Sequence, residues 1–101
     1  EENISFQYES LIRITEEGMY TFYTESDDGS NLYIHGQKIV NNDGTHGMRE
    51  RGGKVILKKG YHPIRVDFFQ KGGGKGLHVS YEGPVTSKQI IPSTVLFRSV
   101  D

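Results

Sequence analysis

Residues 26–36 read Ser26-Asp27-Asp28-Gly29-Ser30-Asn31-Leu32-Tyr33-Ile34-His35-Gly36. A segment rich in Tyr, Phe and Thr leads into this stretch, which places two adjacent carboxylates and a glycine at the predicted end of a strand. The chain then returns as a short alternating strand and turns again at His35-Gly36. Neighbouring carboxylates repel each other, so they are tolerated when solvated, when bonded to backbone N–H groups, or when a hard cation lies between them. The stretch therefore predicts both a β architecture and a candidate site.

Alternation of apolar residues predicts strands along the whole chain. Ile4, Phe6, Tyr8, Ile12 and Ile14 share one parity, with a bulge expected near Ser10-Leu11. Further strands are expected in segments separated by glycine-marked turns, with a long polar loop over 41–53: 19–24, 32–34, 38–40, 55–57, 64–68, 77–81 and 95–97. No segment keeps a helical period for three turns. The pattern is typical of an all-β protein, an antiparallel sandwich or barrel.

The aromatic residues divide by their place in this alternation. Tyr20, Phe22, Phe68 and Phe97 occupy core positions of the expected strands, whereas Tyr33, Tyr61 and Tyr81 are candidates for exposed rings. Exposed tyrosine rings can stack on sugars, but most such rings pack on the faces of sheets.

Composition limits the functional classes. The chain has 101 residues, a formal net charge of −1 and no cysteine, which predicts one domain without disulfides or thiolate chemistry. A near-neutral charge gives no electrostatic reason to expect nucleic acid, and no apolar run is long enough for membrane insertion.

Several motifs, in order, resemble the protective-antigen (PA14) domain. They are Tyr20-Thr21-Phe22-Tyr23, Ser26-Asp27-Asp28-Gly29-Ser30, Leu32-Tyr33-Ile34, Asn42-Asp43-Gly44, His46-Gly47, Gly60-Tyr61-His62-Pro63-Ile64-Arg65-Val66 and Phe68-Phe69. The likeness runs from about Ile14 to Phe97. It implies that residues 1–101 form a single PA14-like β-sandwich that lacks the family's first strand. An open sheet edge is then expected.

The resemblance also implies a function. The sequence is most similar to modules attached to secreted bacterial glycoside hydrolases such as β-glucosidases and β-hexosaminidases. We therefore expect a non-catalytic, carbohydrate-binding accessory module, secreted, periplasmic or at the cell surface within a larger chain. Its expected partners are a glycan and the catalytic domain of the parent hydrolase. The alternative is an architectural domain that packs on that catalytic domain and shapes substrate access without binding free sugar.

By resemblance, the candidate site is centred on Asp27 and Asp28. In the adhesin branch of the family the matching pair holds calcium, which coordinates two sugar hydroxyls, so calcium is the expected cofactor. A later loop completes that site, and its expected sugar-binding residues here are Gln70, Lys71 and Lys75.

Two structural interpretations compete with this site. In one, Asp28 accepts backbone N–H bonds in an Asx-type turn, Gly29 supplies a positive φ and Asp27 faces water. In the other, the carboxylates pair with Arg49 or Arg51. Asp43 and His46 are expected to organise a turn and to pack on the sheet rather than to act as acid and base, because a hairpin loop on a small sandwich rarely forms a catalytic cleft.

Overall fold

The computed structural model of the protein describes residues 3–71 and 76–98. Nine strands and one short 3-10 turn follow each other along the chain: β1 (Asn3–Ile14), β2 (Gly18–Asp27), β3 (Ser30–Ile34), β4 (Gln37–Asn42), β5 (Arg49–Leu57), β6 (Gly60–Lys71), β7 (Gly76–Gly83), β8 (Thr86–Ile90), the 3-10 turn (Ser93–Val95) and β9 (Leu96–Phe97). Among these residues no helix has the length and hydropathy needed to span a membrane.

Two antiparallel sheets face each other. Sheet A has the strand order β4-β3-β6-β1-β9, and sheet B has the order β5-β2-β7-β8. The paired strands of both sheets run antiparallel in the described residues. The predicted all-β antiparallel sandwich is therefore confirmed.

The core lies between the sheets and follows the predicted alternation. On β2, Tyr20 and Phe22 are buried, and on β3 Leu32 and Ile34 are buried, each at every second position. Fully burying a side chain of this size stabilises the fold by about 1.5–3 kcal/mol. The period of two thus selects one face of each strand for the interior.

The bulge predicted near Ser10-Leu11 is wrong. β1 pairs with β6 without a break from Asn3↔Lys71 to Ile14↔Gly60. Ser10 simply occupies an inward-facing position opposite Ile64 without an inserted residue. The polar Ser10 interrupts the apolar alternation of β1, and a bulge would interrupt the alternation in the same way.

Other strand expectations also need correction. The long loop expected over 41–53 is limited to residues 43–48, because β4 extends to Asn42 and β5 begins at Arg49. β8 was not expected, since its polar sequence Thr-Ser-Lys-Gln lacks the alternation that marks a half-buried strand. Phe97, expected in the core, is exposed, whereas Tyr81, a candidate for an exposed ring, is buried.

The side of the sandwich formed by β4 and β5 is closed by direct backbone approach. A Cβ added at Gly53 would lie 1.8 Å from the carbonyl oxygen of Ile39. Only a residue without a side chain fits at this position of β5. This contact holds the edges of the two sheets together beside the 43–48 loop.

Candidate site at the Asp27–Asp28 end of the sandwich

Asp27 and Asp28 lie where the chain leaves sheet B and enters sheet A. Asp27 ends β2 and is paired in register with Gly76, the first residue of β7. The peptide bond between Asp27 and Asp28 is cis. Gly29 then accepts a backbone hydrogen bond from Phe69 at 2.8 Å, which ties the turn to β6.

The Asp28 carboxylate is buried and reaches across to another loop. Asp28 is only 5% exposed. Its Oδ1 accepts a hydrogen bond from the backbone N–H of His46 at 3.1 Å. Asp27, beside it, is half-buried. One carboxylate is thus fixed by the β4–β5 loop while its neighbour lies closer to solvent.

Part of the competing Asx-turn interpretation is wrong. Gly29 is not among the glycines with positive φ, which are Gly18, Gly36, Gly44 and Gly60. Space favours glycine here instead, because a Cβ would lie 3.0 Å from the carbonyl oxygen of Gly44, closer than most Cβ contacts. The glycine therefore permits the β2–β3 turn to pack against the 43–48 loop.

A buried polar network supports this end of the sandwich. Ser26 Oγ donates to the carbonyl oxygen of Asp28 at 2.7 Å and lies 2.6 Å from Ser30 Oγ, which donates to Thr24 Oγ1 at 2.9 Å. These hydroxyls stand at positions that continue the core parity of β2 and β3. Because Ser26 donates to the carbonyl oxygen of Asp28, the network holds the β2–β3 turn from the interior of the sandwich.

Asn42 is the centre of that network. It is fully buried, and its Nδ2 donates to the carbonyl oxygens of Thr24 at 3.2 Å and Arg49 at 2.8 Å. Its Oδ1 accepts from Arg49 Nε at 3.0 Å. One amide thereby joins β4, β2 and β5 at the base of the 43–48 loop.

Arg49 and His46 shape the loop itself. Arg49 Nη2 donates to the carbonyl oxygen of Asp43 at 2.8 Å. The ring nitrogens of His46 lie 2.7 Å from the carbonyl oxygen of Gly47 and 3.1 Å from that of Asn42. His46 therefore braces the loop that supplies the N–H to Asp28, as part of the turn rather than as an exposed acid or base.

A shallow cleft of about 250 Å³ lies beside the turn. Gly29, Asn31, Asp43, Asp67 and Phe69 are among its lining residues. Asn31 Nδ2 donates to Asp43 Oδ1 at 2.9 Å. Asp67 Oδ1 accepts a hydrogen bond from Arg65 Nε at 3.2 Å. The cleft thus offers carboxylates, an amide and aromatic rings beside Gly29 of the β2–β3 turn.

The expected second loop is only partly within the described residues. Gln70 is half-buried near the end of β6, and Lys71 is the last residue of that strand. Lys75 lies outside the described residues. The flanks of the loop approach the pair, since Gly76 pairs with Asp27 and Phe69 bonds Gly29. The sequence analysis did not predict that the 43–48 loop holds Asp28. Thr24, Ser26 and Ser30 occupy core positions of β2 and β3, and these polar residues in the core could have indicated a buried network at this end.

Metal-ligand chemistry at this end rests on oxygen donors. Within residues 3–71 and 76–98, no group of three or more His, Cys, Asp or Glu side chains is arranged to hold a metal ion. Two adjacent carboxylates still match the hard-donor preference of calcium, which also takes backbone carbonyls, water and ligand hydroxyls.

Most of the chain is similar in sequence to part of a larger protein. The chain is 27% identical over 81 residues to the anti-sigma-I factor RsgI3 of Acetivibrio thermocellus, a match that covers 79% of this chain and 13% of the relative. The chain thus spans only a small part of the curated relative it matches.

Solved structures share the fold. An anti-sigma factor domain-containing protein from Clostridium clariflavum superimposes with a TM-score of 0.88 at 23% identity, covering 96% of this chain and 33% of that one. A PA14 sugar-binding domain from an RTX adhesin gives a TM-score of 0.83 at 20% identity, covering 96% and 55%. A GH31 α-xylosidase from Xanthomonas citri gives 0.69 at 18% identity, covering 92% and 10%.

The family itself is identified over nearly the whole chain. The PA14 domain description matches residues 1–94. The two-sheet antiparallel fold agrees with the solved PA14 domain of the adhesin. The chain therefore belongs to the PA14 domain family.

Proposed function

We propose that this domain is a non-catalytic carbohydrate-binding module whose site is the Asp27–Asp28 end of the sandwich, with calcium as its cofactor. The observation that carries the proposal is the buried Asp28 carboxylate held by the N–H of His46, beside the half-buried carboxylate of Asp27. A fold does not itself define function, so the argument depends on this site.

The charge arrangement favours a cation-assisted ligand. Burying a carboxylate is costly unless hydrogen bonds or a cation compensate for the lost solvation. A calcium ion at this position would neutralise the pair and present open coordination positions to vicinal hydroxyls of a sugar. Asp27 and Asp28 are the residues that would hold it, and the ligand would supply further oxygens.

Neighbouring residues supply hydrogen-bonding partners of the kind that sugars use. Gln70 offers an amide that both donates and accepts, and Lys71 and Lys75 of the following loop are proposed as donors to hydroxyl or carboxylate groups of the glycan. The cleft beside Gly29 adds Asn31 and Phe69 to the same end of the molecule.

The parent protein is proposed to be larger than this domain and located outside the cytoplasm or at the cell surface. Glycoside hydrolases and anti-sigma factors both contain the fold, as the comparisons indicate. In either setting the domain would hold a glycan close to another functional unit of the same chain.

A glycan array measured with calcium and again with a chelator tests the proposal. We expect binding in calcium that disappears on chelation. Asp28→Asn should abolish that binding without unfolding the domain, because the amide oxygen can still accept the hydrogen bond from His46. Glu50→Gln is the matched control, since it also removes one carboxylate but at an exposed position of β5.

Each result has a distinct meaning. Binding that survives chelation contradicts the role of calcium, and binding that survives Asp28→Asn contradicts the location of the site. Silence under all conditions overturns carbohydrate binding and favours the architectural alternative, a domain that packs on its parent catalytic domain.

A further inference from the structure

The outer face of sheet A carries an aromatic ring next to the Asp27–Asp28 turn. Phe69 follows the buried Phe68 on β6, and successive side chains of a strand point to opposite faces, so the Phe69 ring lies on the outer face. It is 36% exposed. Its backbone N–H donates to the carbonyl oxygen of Gly29, the residue after Asp28. The ring therefore adjoins the turn that holds the carboxylate pair.

The neighbours of this ring on the two adjoining strands are small. Ser5 of β1 lies opposite Phe69 in the register of the sheet, and Gly29 lies on the other side. Neither has a side chain long enough to cover the ring, and the cleft of about 250 Å³ lies at this place. Sites for drug-sized ligands measure about 300–1,000 Å³. This cleft is thus of a size for one small ring rather than for a whole oligosaccharide.

A row of polar side chains borders the ring. Gln7 of β1, Asp67 of β6 and Asn31 of β3 are opposite one another in register, and all three line the cleft. Asp67 is two residues from Phe69 and therefore lies on the same face of the sheet. The cleft has an aromatic side and a hydrogen-bonding side.

Hydrogen bonds already hold the polar row in place. Asp67 Oδ1 accepts from Arg65 Nε at 3.2 Å and from Gln7 Nε2 at 3.4 Å. Asn31 Oδ1 accepts from the backbone N–H of Asn42 at 3.3 Å, while its Nδ2 donates to Asp43. Side chains that are ordered before a ligand arrives lose less conformational entropy when they bind it.

The two amides of the row keep hydrogen-bonding capacity for a ligand. A side-chain amide has two N–H donors and one carbonyl acceptor. Within the part of the chain that the structure describes, Gln7 Oε1 accepts no hydrogen bond, and Gln7 Nε2 and Asn31 Nδ2 each donate only one. A donor and an acceptor side by side match a hydroxyl group, which can both donate and accept.

We propose that this cleft is a second sugar subsite, which binds one hexopyranose unit of a glycan against Phe69 while the neighbouring unit occupies the Asp27–Asp28 site. The inference rests on the proposed function, because it extends that site by one unit. The faces of a sugar ring present C–H groups, which the negative face of an aromatic ring attracts. The hydroxyls at the rim of the sugar then reach the row of Gln7, Asp67 and Asn31.

The charges of the cleft indicate a neutral sugar. Asp43 and Asp67 both line it, and carboxylates accept hydrogen bonds from hydroxyl groups but repel an acidic sugar. Their cationic partners, Lys38 and Arg65, are not among the described residues that line the cleft. The ligand is therefore a neutral oligosaccharide of at least two units.

Isothermal titration calorimetry in calcium tests the second subsite. The probes are D-glucose, D-galactose and D-mannose, each compared with neutral disaccharides and trisaccharides that carry the same sugar at the non-reducing end. We expect the preferred oligosaccharide to bind about tenfold more tightly than its terminal monosaccharide, because only the longer ligand reaches Phe69. Phe69→Ala should remove most of this difference, and Phe69→Trp should restore it because the indole is also an aromatic platform.

Phe97→Ala is the matched control. Phe97 lies opposite Leu11 on the outer face of the same sheet, is 37% exposed and is not among the residues that line the cleft. Its replacement should leave the affinity for the oligosaccharide unchanged. Gln7→Ala and Gln37→Ala form a second pair, since both glutamines are exposed on sheet A but only Gln7 lines the cleft. Far-UV circular dichroism verifies that each variant is folded.

The outcomes distinguish this inference from the proposed function. Silence of the unmodified domain towards every sugar overturns both. Calcium-dependent binding that Phe69→Ala and Phe97→Ala affect equally overturns the second subsite alone, as does equal affinity for the monosaccharide and the oligosaccharide. A preference for acidic over neutral oligosaccharides contradicts the chemical class assigned to the ligand.

Discussion

Replacing Asn42 by alanine should destabilise the domain more than any single change at the surface. The side-chain amide is fully buried and makes two hydrogen bonds to the carbonyl oxygens of Thr24 and Arg49 and one from the Arg49 guanidinium. Neutral bonds contribute about 1 kcal/mol each, and a bond to a charged group about 1.5–3 kcal/mol. We therefore expect the free energy of unfolding to fall by about 3.5–5 kcal/mol.

Urea denaturation measures this loss directly. The midpoint concentration should fall while the slope stays constant, as long as the unfolded state is unchanged. For a domain of this size, a loss of 3.5 kcal/mol corresponds to a melting temperature lower by about 14–28 °C. Gln37→Ala is the matched control, because Gln37 is an exposed amide residue on the same strand, and its effect should remain within about 0.5 kcal/mol.

Asn42→Asp separates the donor from the acceptor role of the amide. The aspartate keeps an oxygen for Arg49 but sets a carboxylate against the two carbonyl oxygens, so it should destabilise the fold as well. A loss below about 1 kcal/mol for Asn42→Ala would refute the view that this residue organises the loop that holds Asp28.

Two further predictions concern the closed side and the buried tyrosines. Gly53→Ala should cost about 1–3 kcal/mol or more in urea denaturation, because the new methyl group meets the carbonyl of Ile39, whereas Gly47→Ala has open space around it and should cost far less; equal costs would contradict the tight approach of β4 and β5. Burial raises the pKa of Tyr20 and of Tyr81 above the usual 10. Below pH 10 both states keep the phenol proton, and above it the unfolded state ionises first, so the free energy of unfolding should fall as pH rises through the folded-state pKa. Stability measured from pH 8 to pH 11 should decline less steeply in the Tyr20→Phe and Tyr81→Phe variants, and an unchanged slope would contradict this assignment.

The core of the sandwich was largely predictable because its strands alternate strictly. Tyr20 and Phe22 are buried as their parity indicates, and Ile64 and Val66 face them from sheet A. Burial depends on which face of a strand a residue occupies, and a period of two reveals that face without any knowledge of partners.

β5 shows where this reasoning fails. Its first half, Arg49–Lys54, is charged and contains two glycines, so local propensity indicates a loop. Pairing with β2, from Ser26↔Arg49 onward, overrides that preference. Gly53 reads as a loop residue in the sequence, but in the structure it is required by the approach of Ile39.

The candidate site was half predictable for a related reason. The carboxylate pair is contiguous in sequence and therefore visible, whereas its support comes from the 43–48 loop and from Asn42, which only the folded topology brings near. Phe97 was predicted in the core but is exposed, because the short strand β9 at the end of the sheet leaves its ring without cover that its own sequence could reveal.

The pairing of β1 with β6 has a consequence for how the chain is made. The first strand finds its partner only in the second half of the sequence, with Asn3 opposite Lys71 at the far end of the ladder. During synthesis from the N-terminus, β1 must wait for most of the domain before its hydrogen bonds can form. Folds dominated by such distant pairings are slow to form and expose strands that aggregate in the meantime. β1, which contains no lysine, therefore stays without its partner strand in the nascent chain until β6 has been synthesised.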